Sequence, residues 1–157
     1  MTALRFIAMP THEAEHYWAG KPDANGQQPE RHISGGAGVP CRHCLTEIPK
    51  GVPYLILAHR PFPEPQPYAE VGPIFLHAEP CRQHPASPTT PKMFLGWERL
   101  LIKGYGADDR IVYGTRAVVP TGDVERAAAA ILERKDVAYV HGRSAKNNCY
   151  QVRIERA

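Results

Sequence analysis

The sequence predicts an α+β fold, a mainly antiparallel sheet with one long helix packed on it and long Pro/Gly-rich loops. Three observations point there. Short apolar runs rich in β-branched and aromatic residues recur between turn residues, which is how strands read in a sequence. Only Thr121–Lys135 carries a sustained helical stripe. The 16 prolines and 13 glycines require many turns and limit helix.

A chain of 157 residues suits a single domain, 1–157, large enough to bury a core. No stretch approaches the roughly 20 apolar residues of a membrane span. The short mixed segment Leu4–Met9 lacks the long apolar run of a signal peptide. These readings place the chain in the cytoplasm, where paired cysteines more often mean metal or redox chemistry than disulfides. The net charge of +3 is modest. Its cations are spread along the chain, apart from Arg143, Lys146, Arg153 and Arg156 near the end, so neither nucleic acid nor membrane is an expected partner. Composition leaves the oligomeric state open.

Taken in order, Leu4–Ala8 reads as a first strand ended by Pro10. Thr11 can cap a short helix with Glu13 and Glu15 in its first turn and Tyr17 and Trp18 on its buried face. The stretch 20–38 is polar and rich in Gly, Pro, Asn and Asp, and is expected to be a long loop. Tyr54–His59 and Gly72–His77 follow as strands, separated by the alternating prolines Pro61, Pro63, Pro65 and Pro67. If these two strands pair antiparallel, His59 and His77 lie at opposite ends. Arg99–Tyr105 and Arg110–Val119 predict a hairpin across Gly106–Asp109. The helix Thr121–Lys135 has Val124, Ala127, Ala128, Ile131 and Leu132 on one face. Val137–His141 and Cys149–Arg156 close the chain as a second hairpin.

Two short motifs carry the chemistry. Pro40-Cys41-Arg42-His43-Cys44 is echoed at Pro80-Cys81-Arg82-Gln83-His84, each placing one metal-ligand residue type three positions from another after a stiffening proline. Cys41, Cys44, Cys81 and His84 make a Cys₃His zinc set, with His77 and Cys149 as rivals for a place in it. A closed set would be structural. An open one would leave a coordination position for water, with His77, His59 or Glu70 to move protons. A second reading makes Cys41 a nucleophilic thiol, its pKa lowered by Arg42 and His43, with His141 or His59 as base. Dithiol redox chemistry at Cys41 and Cys44 is a third, although a βαβ context is missing. A fourth builds a metal site from His59, His77 and His141. The plain alternative is that the cysteines are small apolar core residues. Arg42, Arg31 and Glu30 are the candidates to hold a small polar or anionic substrate.

The chain resembles the bacterial domain-of-unknown-function family twelve-oh-three. The similarity rests on Pro40–Leu45, Pro67–Phe75, Val137–His141, Asn147–Tyr150 with Arg153-Ile154, and Asp23–Gln27 with Pro29–Arg31. The resemblance brings no activity with it. It implies Cys41 and Arg42 as the functional pair of the motif, with Cys44 deciding whether a metal is held. Together these readings give a small metal-binding protein, with zinc as cofactor, acting on a small molecule through metal-bound water or a thiolate. The contrasting expectation is a non-catalytic binding module stapled by zinc.

Overall fold

In the computed structural model, which describes residues 1–157, the strands fall into two antiparallel sheets and the helices are few and short. The fold is α+β and mainly antiparallel, as the pattern predicts. The chain divides into two units, Met1–Ile7 with Glu64–Ala69 and Pro85–Ala157, and Ala8–Pro63 with Glu70–His84. No helix is long and apolar enough to cross a membrane.

The first unit holds a five-stranded sheet of β1 (Leu4–Ile7), β5 (Arg99–Tyr105), β6 (Ala117–Pro120), β7 (Tyr139–Ser144) and β8 (Tyr150–Arg156). Their order across the sheet is β1-β8-β7-β5-β6. Alternation decides the faces. Leu100, Ile102, Val140, Val152 and Ile154 are all fully buried. Helix α3 (Val124–Leu132) packs on β5, β7 and β8, burying Val124, Ala128, Ala129 and Leu132. The approach is close enough that a Cβ on Gly104 would lie 3.1 Å from Ile131. A second, shorter helix, α2 (Lys92–Leu95), buries Phe94.

The expected long helix is shorter than the stripe that predicts it. A 3₁₀ turn at Thr121–Asp123 leads into α3, which stops at Leu132. The stop has a physical cause. The Arg156 guanidinium donates to the carbonyls of Leu132, Arg134 and Val137, and so takes up the Leu132 acceptor that another helical turn would have used. Arg134 also turns aside to form a two-pronged pair with Asp136. The hairpin partner of β5 is likewise shorter than Arg110–Val119. Ile111 keeps a single bridge to Tyr105, and regular pairing resumes only at Ala117.

The second unit holds α1 (Thr11–Trp18) and a three-stranded sheet, β2 (Glu30–Ile33), β3 (Pro53–His59) and β4 (Gly72–His77), in that order. Strand β2 lies within the stretch 20–38 expected to be loop. Its four residues are all exposed, so no apolar alternation marks it, and backbone pairing with β3 alone makes it a strand. Helix α1 begins after Pro10, with no side chain capping it. The Thr11 hydroxyl has another partner, described below. Gly20, in the left-handed region at φ +74°, follows the helix end. The core of this unit gathers Met9, Ala14, Tyr17, Ile48, Leu57, Ile74 and Leu76 around Cys41.

Candidate metal centre

Cys41 and Cys44 sit in a tight turn whose backbone closes on itself. The Cys41 N–H donates to the Thr46 carbonyl and the Leu45 N–H to the Cys41 carbonyl, with Leu45 in the left-handed region at φ +52°. The turn docks alongside β4 through a parallel bridge between Cys41 and Phe75, completed by the Arg42 N–H donating to the Phe75 carbonyl. This docking carries the turn to the end of β4, where His77 projects. The His77 N–H donates to the Cys41 sulfur at 3.4 Å. Beyond the strand, Cys81 arrives from the second motif, whose His84 N–H is tied to the His43 carbonyl.

Cys41, Cys44, His77 and Cys81 thus form a Cys₃His site able to hold a metal ion, with one donor atom from each within 4.8 Å of the others. The Cys41 and Cys81 sulfurs are 3.9 Å apart, and the Cys44 sulfur is 3.5 Å from His77 Nδ1. A tetrahedral zinc with sulfurs at about 2.3 Å and an imidazole nitrogen at about 2.0 Å needs edges of about 3.8 and 3.5 Å. The donor set is therefore compatible with zinc in chemistry and in spacing. Cys41 is fully buried, and the other three residues are partly exposed.

Electrostatics within the cluster is set by the sulfurs themselves. Cys41 is held far below the usual thiol range, first by the hydrogen bond from Cys44 and then by that from Cys81. Cys81 is pushed up in turn, with Cys41 the largest cause. A thiolate at Cys41 is the form a metal requires. Arg42 and His43, the expected sources of positive charge, are not the causes. His43 is itself held below its ordinary value by burial.

His43 has a different place, one that spacing does not reveal. It is fully buried, with Nδ1 3.2 Å from the Cys81 sulfur and Nε2 2.9 Å from the Thr11 hydroxyl. The Thr11 hydroxyl donates onward to Gln83 Oε1, and the Gln83 amide donates to the Met9 carbonyl. The Trp18 ring meets His43 edge-on, while its indole N–H donates to the His77 carbonyl. Thr11, Trp18, His43 and Gln83 therefore orient Cys81 and His77 from outside the ligand set. The clue available in the sequence was the position of His43 between two cysteines, together with Gln83 in the matching slot of the second motif.

The other expected site residues lie elsewhere. His84 belongs to the second motif but not to the cluster, and its Nδ1 is buried without a hydrogen bond. The fourth position goes to His77, one of its rivals. Cys149, the other rival, sits in the β7–β8 turn of the first unit with its thiol toward the Asn147 carbonyl. His59 is at the far end of β3, five residues beyond the Tyr54 that faces His77, which is about 16 Å along a strand. It is buried against the Tyr17 hydroxyl at 3.0 Å. Burial, then Arg42 and Arg60, lowers its pKa to about 4. His141, in the first unit, is buried among Tyr105, Tyr139 and Tyr150, with ring centroids 4.7–5.1 Å away. Arg42 is 1% exposed, donating to the Pro40 carbonyl and lying over the Phe75 ring. Arg31 is exposed and paired with Glu79, Glu30 is exposed and bonded to His32, and Glu70 is half-buried.

A cleft of about 340 Å³ opens in the second unit between residues 23–30 and the start of β4. Asn25, Gln27, Gln28 and Glu30 face it across Ile56–Ala58 and Val71–Pro73. Asp23 stiffens its rim by accepting the N–H groups of Asn25, Gln27 and Ala58.

Site and fold together define an α+β protein with a Cys₃His centre built on a turn and a strand end. The match to a family model described as "Protein of unknown function (DUF1203)" spans residues 38–156, and the chain belongs to that family. No curated protein and no solved structure matches the chain.

Proposed function

We propose that the chain is a zinc protein in which Cys41, Cys44, His77 and Cys81 staple the second unit. The observation that carries this reading is the pair of donor separations, 3.9 and 3.5 Å, which fit the edges of a zinc tetrahedron. Four protein donors close such a site, so its work is to hold the turn at Cys41–Cys44, the end of β4 and the segment at Cys81 together. Bound zinc would supply the folding free energy of a structural site. A compartment that keeps thiols reduced, such as the cytoplasm, suits a centre of this kind.

Elemental analysis of the purified chain tests the reading. One zinc per chain is expected, with loss of that zinc in Cys44→Ser and in His77→Ala and its retention in His84→Ala. A chain without stoichiometric zinc, or a His77→Ala variant that keeps it, overturns the assignment.

The cleft favours a second role, binding of a small polar molecule. Glu30, expected to hold substrate, is one of its walls; Arg31 and Arg42 are not. With carboxamides at Asn25, Gln27 and Gln28, carboxylates at Asp23 and Glu30 and no cation in the lining, the cleft suits a hydrogen-bonding ligand that carries no negative charge.

A further inference from the structure

The metal centre keeps two sulfurs from distant segments within reach of each other. Cys41 and Cys81 are separated by 3.9 Å, and all the cysteines are free thiols. A disulfide needs about 2.0 Å, so the two side chains must close about 2 Å between them. Cys44 also bonds to Cys41, but it has two further partners, the Thr46 hydroxyl at 3.1 Å and His77 Nδ1 at 3.5 Å. Cys41 is fully buried, whereas Cys81 is partly exposed. Of this pair, Cys81 is the sulfur a small molecule can reach from solvent, and Cys41 lies 3.9 Å from it. The imidazole of His43, 3.2 Å from the Cys81 sulfur and fixed by Thr11, keeps that sulfur turned toward the cluster.

We propose that Cys41 and Cys81 are a modification site at which a peroxide forms a disulfide and thereby empties the metal centre. The proposal rests on the zinc reading above. The zinc of the reading above would hold Cys81 as a thiolate, and in the first step that sulfur attacks one peroxide oxygen. The S–O bond forms, the O–O bond breaks, and the departing hydroxide takes a proton to become water, leaving a sulfenic acid. In the second step the Cys41 thiolate attacks the Cys81 sulfur. The S–S bond forms, the S–O bond breaks, and the second oxygen leaves as hydroxide and is protonated to water. Two sulfurs lose two electrons in all, and one peroxide is reduced to two waters. Cys44 and His77 then remain, two donors where zinc takes four, and the ion departs. A dithiol reductant reverses the sequence by exchange.

The test uses the full chain carrying Cys149→Ser, which removes the one cysteine outside the cluster. Hydrogen peroxide is added in equimolar steps while released zinc is read with a chromogenic chelator and disulfides are mapped by mass spectrometry without reduction. Zinc release and a Cys41–Cys81 disulfide are expected in equal amounts, both reversed by dithiothreitol with added zinc. A Cys41–Cys44 disulfide as the main product, sulfinic acid on Cys81 without a disulfide, or zinc retained in excess peroxide overturns the proposal. If the purified chain carries no zinc, the staple reading falls on that measurement alone. The same disulfide mapping on the chain as purified then decides the cysteine pair separately.

Discussion

In the first unit, α3 lays Val124, Ala128, Ala129 and Leu132 on a sheet with Leu100, Ile102, Val140, Val152 and Ile154 fully buried. In the second unit, β2 exposes every residue, and the remaining two strands share their core with a cysteine, Met9 and a buried arginine's stem. A five-stranded sheet closed by a helix can be held by apolar burial, at about 25 cal/mol per Å² removed from water. A three-stranded sheet with one bare strand buries less, and small cores of that kind are where metals take over part of the stabilisation. Loss of the metal should therefore be felt in the second unit, and truncation of an apolar core residue in the first.

The largest effect should come from taking the metal away. Structural zinc contributes about 10–16 kcal/mol of apparent binding free energy in small peptides, so chelation should open the second unit while sparing the first. Hydrogen exchange followed by mass spectrometry should show β3 and β4 losing protection while β5, β7 and β8 keep theirs. Equal loss in both sheets would erase the comparison.

The converse injury is Leu132→Ala. Leu132 is 1% exposed, and truncating a buried leucine costs about 2–5 kcal/mol. Denaturant unfolding should show that loss, while zinc content stays unchanged. Zinc lost along with stability would show that the two routes are coupled.

A smaller effect separates the units by pH. The folded-state pKa of His59, about 4, lies below its value in the unfolded chain, so the folded state favours neutral imidazole. Stability from this group is complete above about pH 6.5 and is lost as pH falls toward 4, by at most about 3 kcal/mol. Denaturation at pH 7 and pH 5 should show a drop in the native chain that is reduced in His59→Gln. An imidazole that titrates at its ordinary value by NMR would remove the cause.

The strands whose apolar residues alternate were legible in the sequence because one buried face imposes a period of two. That holds for β8, where Val152 and Ile154 alternate with Gln151 and Arg153, whereas β3 and β5 were legible from continuous apolar runs, Leu55–Ala58 and Leu100–Ile102, between turn residues. Glu30-Arg31-His32-Ile33 has no buried face, so nothing in its residues distinguishes it from loop. The end of α3 was hidden for a different reason, since its Leu132 acceptor is taken by Arg156, a residue 24 positions away. Motif reading found three of the four donors at the candidate metal centre, Cys41 and Cys44 because a tight turn keeps them close and Cys81 because the motif recurs at Pro80–His84. It favoured His84 over His77 because spacing sees only chain neighbours. What brings His77 into the cluster is the docking of the Cys41 turn beside Phe75, two residues before the strand ends. Arg42 reads as a substrate residue in a list of chemical types, and its depth in the core appears only in three dimensions.

The pairing of Leu4–Ile7 with Arg153–Arg156 has a consequence for the order in which this protein takes shape. Strand β1 is made before every other strand of its sheet, and β8, its only partner there, after all the others. All the cysteines and the histidine of the metal cluster, by contrast, precede residue 84, where the second unit ends. At roughly 5–20 residues per second, translation reaches Arg156 several seconds after that point. During that interval a nascent chain already has every residue of the candidate metal site in one unit and still lacks a partner for β1 in the other.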